Sequence, residues 1–86
     1  MDSGALSDCK KSVGLRESLK MVKNEMADTV YVAKDAERRV VADIINLCQE
    51  QGIPIIEVES MEILGKACSV QVGTAVAARL KESPQN

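Results

Sequence analysis

The residues of this chain with the most chemical promise lie in one short run, Val13–Lys20, "VGLRESLK". Arg16 and Lys20 are four positions apart, so on a helix they lie on one face as like charges. Such a pair costs a few tenths of a kcal/mol unless an anion or a carboxylate relieves it. Glu17 lies beside them and Gly14 precedes them. Gly14 is an acceptable N-cap, and Glu17 then falls at N3, placed to bond back to the cap N–H. Two readings of the run stay open: a solvated helix face, or a site for something anionic. For the second, Arg16 and Lys20 offer charge to phosphate, and the helix start adds free N–H groups. Arginine can also take guanine O6 and N7 together, while Glu17 can accept from base amino groups.

Catalysis has little to work with. Histidine is absent from the 86 residues, which removes the usual general base and the commonest metal ligand. Without it no Ser or Cys triad can be assembled, and neither a G-x-G-x-x-G nor a Walker A run is present. The expectation is a non-enzyme with no cofactor. Glu57, Glu59 and Glu62 cluster behind an apolar run and read as a solvated loop in preference to a cation site. Cys9, Cys48 and Cys68 are odd in number and form no C-x-x-C, so they read as small hydrophobes of a reducing compartment. The N-terminal run has no apolar core of a signal peptide, and no stretch approaches the ~20 apolar residues of a membrane span. A cytoplasmic, soluble, monomeric protein is expected. With a pI of about 5.1, indiscriminate coating of nucleic acid is disfavoured, because that mode needs a basic surface. A local basic patch remains compatible.

The elements that must position these residues follow from length and pattern. A chain of 86 residues is one domain, with a core spanning about 11–80 and a polar tail, "KESPQN", at 81–86. At this size roughly 60–65% of the unfolded surface is buried, so the core is small. Tyr31 is the one aromatic residue, and Val, Ile, Leu, Ala and Met must fill that core. "GALSDCKKSV" reads as a short, weak helix. Leu15, Leu19 and Val22 form a helical stripe at i, i+4, i+7. Thr29–Ala33 is β-branched and reads as a buried strand, with Tyr31 packed in it. Asp35 is suited to cap the next helix, whose apolar face is Val40, Val41, Ile44, Ile45 and Cys48, with Gly52 at C′. Ile53–Val58 is a second strand with Pro54 near its start. Ser60 caps a short helix carrying Ile63 and Leu64, and Thr74–Arg79, rich in small residues, closes as a strand covered on both faces. Strands separated by helices indicate an α/β layered domain, helices on both faces of a small sheet.

The second half, "IPIIEVESMEILGKACSVQVGTAVAA", runs strand, V-x-S, L-G-K-A-C, then a small-residue strand. Upstream, "VGLRESLKMV" stands in the place of a Gly-x-Asn-Glu-x-x-Lys element, and "VYVAKDA" in that of a second strand and turn. In this the chain resembles the ribosomal protein L7Ae family, over about Lys11 to Leu80, and most closely its small bacterial stand-alone members. Members of that family bind kink-turn RNA, a sharply bent internal loop containing tandem sheared G·A pairs. The resemblance implies an α/β fold, a three-layer α-β-α sandwich around a small mixed four-stranded sheet. It implies that Gly14 lets backbone approach RNA, that Arg16 and Glu17 face the G·A bases, and that Lys20 takes phosphate or a base edge. Lys34 would add a phosphate contact. Val58, Glu59, Ser60 and Met61 would form a surface against a flipped-out nucleotide, with Ser60 also capping its helix. The implied partner is ribosomal or other structured RNA; shape and splayed bases are what proteins read there.

Three departures stand out. Arg16 occupies a position where archaeal and eukaryotic members usually carry Asn. Ser69 follows "KAC" where Gly is usual, at a cost of about 1 kcal/mol if φ is positive there. Glu57, Glu59 and Glu62 bring negative charge to the implied RNA loop. The acidic Glu57–Glu62 loop and the acidic pI support an alternative, a protein-interaction module on the same fold that has lost RNA binding.

Overall fold

A computed structural model describes residues 11–70 and 73–81. Seven elements follow one another: β1 (Lys11–Val13), α1 (Leu15–Lys23), β2 (Ala27–Ala33), α2 (Arg38–Gln51), β3 (Ile55–Val58), α3 (Met61–Ala67) and β4 (Val76–Leu80). The sheet has the order β1-β4-β2-β3. β4 pairs antiparallel with both β1 and β2, while β2 and β3 run parallel, so the sheet is mixed.

Side chains alternate between the two faces of each strand with period two, and the chain uses that alternation to build two cores. Val30, Val32, Val76 and Ala78 meet Val22 of α1 and Val41, Ile44 and Cys48 of α2 on one face. Ala33 and Ala77 meet Leu64 and Cys68 of α3 on the other, with Tyr31, Val58 and Met61 packed at the margin. This is the expected three-layer α-β-α sandwich. The small residues of β4 suit its central place: Val76, Ala77 and Ala78 are all fully buried. Both layers hold a buried free cysteine, Cys48 and Cys68, and burial raises both thiols above the ordinary value of 9.0. Cys9 lies outside the described residues.

Several local expectations need correction. The segment expected as a weak helix over Gly4–Val13 ends as strand: Lys11–Val13 pairs with Arg79–Ala77 of β4, and its remainder lies outside the described residues. Three residues carry too short a pattern to compete with tertiary pairing. β3 starts at Ile55 and not Ile53, because Ile53 N–H is taken by the Cys48 carbonyl at the end of α2 at 2.9 Å and Pro54 has no N–H to give. β4 starts at Val76 and not Thr74, since Thr74 turns its hydroxyl to the Val76 carbonyl. On α2, Val41, Ile44 and Cys48 are buried, while Val40 is exposed. The helix stops at Gly52, which adopts φ 73°, ψ 27°, the left-handed conformation glycine takes at C′.

Candidate functional site

Gly14 sits between β1 and α1 at φ 98°, ψ 160°, a region open essentially to glycine only. Its N–H donates to the Val76 carbonyl at 2.9 Å, and its carbonyl accepts from Ser18 N–H at 3.0 Å. The expected bond from Glu17 back to this N–H is therefore displaced by a strand carbonyl. Ser18 is buried and donates to the Ser12 carbonyl, which ties α1 onto β1. Among the described residues beyond its chain neighbours, no heavy atom lies within 4 Å of where a Cβ on Gly14 would stand, so backbone faces open space there. Arg16, Glu17 and Lys20 project from the exposed face of α1. Arg16, Lys20 and Lys23 surround a shallow hollow of about 230 Å³ together with Leu19 and Asn24.

The other candidate residues reach the same end of the sheet through a continuous set of hydrogen bonds. Beside Val76, Ala75 accepts from Ala33 N–H at 2.9 Å, and Lys34 N–H donates to Val58 at 2.8 Å. Thr74 N–H donates to Met61 at 3.1 Å. Gly14, the end of β2, the Val58–Met61 loop and the approach to β4 thus form one rim. Gly73 lets the last two approach closely: a Cβ there would lie 3.2 Å from that of Met61. Sequence patterning offers Thr74 only as a strand start and assigns Gly73 no role, although a glycine followed by small residues at a strand entrance marks such an approach.

Asp35 does not cap α2, as expected, but the start of α3: its Oδ1 accepts from Met61 N–H at 2.8 Å. The turn closed by Ala36 N–H on Ala33 places Asp35 two residues ahead of Glu37, the residue at the α2 cap position. Ser60 caps α3 as expected, its Oγ accepting from Ile63 N–H at 3.1 Å. Val58 and Met61 are half-buried, their packing against the α3 core leaving a partial apolar surface at the rim. Lys34 is exposed and lies 3.8 Å from Glu59, and Glu62 pairs with Lys66 along α3 at 3.7 Å. Both pairs are well solvated and contribute little to stability. Among the described residues no group of His, Cys, Asp or Glu is gathered to hold a metal ion, and no helix is long and apolar enough to cross a membrane.

The rim can offer an incoming anion backbone N–H groups, Arg and Lys side chains, and a ledge of Val58 and Met61. Comparison with known proteins bears on what that surface is for. The model of the ribosomal protein L7Ae/L30e/S12e/Gadd45 family matches residues 5–86. A protein of Caldanaerobacter subterraneus subsp. tengcongensis named as an RNA-binding protein is 45% identical over 69 residues, 80% of this chain and 84% of its own. One from Halalkalibacterium halodurans, named likewise, is 44% identical over the same shares. Among solved structures, the 15.5kD RNA-binding protein of Giardia lamblia superposes with a TM-score of 0.80 at 34% identity, over 92% of this chain and 66% of that one. A Bacillus halodurans protein of unknown function shares the fold at a TM-score of 0.75 and 21% identity, over 83% of this chain and 71% of its own. The chain belongs to the ribosomal protein L7Ae/L30e/S12e/Gadd45 family.

Proposed function

We propose that this chain binds structured RNA and recognises a kink-turn with sheared G·A pairs through the rim at the start of α1. Its family relatives are binding proteins and not enzymes, and the chain is non-enzymatic with them. The observation that carries the reading is Gly14. Its glycine-only backbone opens the first turn of α1 to solvent, next to two cations and a carboxylate on the exposed face. In this reading Arg16 and Glu17 face base edges, Lys20 and Lys34 take phosphates, and Val58–Met61 receives an unstacked nucleotide while Ser60 holds its helix. Glu59 tethers Lys34 and releases it to phosphate when RNA arrives. The like charges at Arg16 and Lys20 are tolerated because RNA supplies the counter-charge. Cytoplasmic location and a monomeric state complete the reading.

The test is a gel-shift titration with a short kink-turn RNA, and with the same RNA lacking its G·A pairs, at two salt concentrations. Clear preference for the intact motif is expected. Lys20→Ala should weaken binding to both RNAs and lower the salt slope by about one unit or less, while Glu17→Ala should erode the preference itself. Equal, weak binding of both RNAs by the wild type would overturn the proposal and favour the alternative, in which the acidic Glu57–Glu62 loop meets a basic protein.

A further inference from the structure

The described cations divide sharply in how they are partnered. Lys34, Lys66 and Arg79 each face a carboxylate within 4.0 Å. Arg16, Lys20 and Lys23 on α1, Arg38 and Arg39 on α2, and Lys11 and Lys81 at the far end of the sheet make no such pair among the described residues. The α1 group belongs to the site already described. The α2 pair does not, and its position works against the helix that carries it. Arg38 and Arg39 are the first two residues of α2, and no acidic residue occupies that first turn. Two guanidinium groups there oppose the positive end of the helix dipole, and Glu37 at the cap position forms no ion pair with either among the described residues. A local rule broken with only the Glu37 carboxylate to offset it marks a place where something outside the chain can compensate.

The fold puts this pair within the rim. β2 ends beside Val58 and Ala75, the chain turns at Ala33–Ala36, and α2 starts directly afterwards. α1 and α2 pack side by side on one face of the sheet, and both begin at this end. We infer that Arg38 and Arg39 form a second RNA contact, holding the phosphate backbone of a strand beyond the G·A pairs as it passes from α1 across the start of α2. Consecutive helical positions diverge by about 100°, so the two side chains reach separate phosphates and do not clamp one. Backbone contacts of this kind add affinity and salt dependence without reading sequence.

This inference rests on the RNA-binding proposal, and its test separates the two. Binding of the intact kink-turn RNA and of the RNA lacking its G·A pairs is titrated at several salt concentrations. The proteins compared are wild type, Arg38→Gln/Arg39→Gln, Arg38→Lys/Arg39→Lys and Lys81→Gln. Lys81, exposed at the opposite end of the sheet, controls for the loss of one positive charge away from the rim. The glutamine pair should bind both RNAs about tenfold more weakly at low salt, with the salt slope lowered by between about one and two. Preference for the G·A pairs should be kept, the lysine pair should restore most of the slope, and Lys81→Gln should match wild type. If wild type prefers the intact motif while the glutamine pair matches it in affinity and slope, the second contact is overturned and the primary site stands. A loss from Lys81→Gln as large, per charge removed, as from the glutamine pair would overturn it equally, as general charge. If wild type shows no preference for the motif, both readings fall together. Thermal melting of each variant, expected to equal or exceed wild type, establishes that any loss arises in the folded protein.

Discussion

The start of α3 and the starts of α1 and α2 lie at one end of the sheet, yet side chains close only the first. At α3, Ser60 accepts from Ile63, Asp35 accepts from Met61, and Glu62 adds negative charge to the first turn. At α1 the cap is Gly14, which has no side chain to offer, and at α2 the Glu37 side chain makes no cap bond. Length accounts for much of the contrast between α3 and α2, while α1, at nine residues, is held through buried Ser18 and Val22. α3 has seven residues, well below what an isolated helix needs in water, so local bonds must hold it. α2 has fourteen residues and anchors through Val41, Ile44 and Cys48; its first turn is free for other duties. A short helix spends its start on itself, whereas a well-packed one can leave its start open to a ligand.

That contrast can be broken by substitution. The largest effect is expected at the open start of α1: Gly14→Ala forces an L residue into φ 98°, ψ 160°, at about 1–3 kcal/mol. Urea unfolding measures it, and a loss below about half a kcal/mol would show that the backbone there relaxes without penalty. Next comes the closed start. Ser60→Ala should cost about 1 kcal/mol, whereas Glu37→Ala, at the equivalent position of α2, should change the midpoint little. Equal losses would erase the distinction drawn above. The far end of α3 provides a third test. Ser69 adopts φ 65°, as anticipated for a position where the family favours Gly, so Ser69→Gly should raise stability by somewhat under 1 kcal/mol. The smallest effect is a gain of about 0.5 kcal/mol from Glu37→Ser, whose hydroxyl would cap α2. The same change removes a carboxylate beside Arg38 and Arg39 and should tighten RNA binding slightly, and a thermal melt paired with one gel shift reads both.

What could be read from the sequence were features whose cause is local. The stripe of α2, Gly52 at its end, β2 and the Ser60 cap all express themselves within a few residues. The charged run Gly14–Lys20 was visible for the same reason. Val58–Met61 came into view through family resemblance, since an acidic loop by itself suggests only solvent. Asp35 was misassigned because its partner, Met61, lies 26 positions away and no local signal announces it. Glu17 lost its expected bond to a carbonyl from the last strand of the sheet. β1 is three residues long and exists through pairing with β4. Arg38 and Arg39 drew no notice as part of an ordinary helix. Their meaning depends on where the turn before them delivers the helix start.

The placement of Cys48 beneath α2 and Cys68 beneath α3 has a practical consequence. Each outer layer carries its own built-in chemical reporter, shielded from reagent until that layer opens. Alkylation rates of the two thiols under native conditions, mapped by peptide mass, would report the opening free energy of the α1–α2 layer and of the α3 layer separately. In the proposed binding mode RNA docked across the rim would join both layers, and should slow the two rates together.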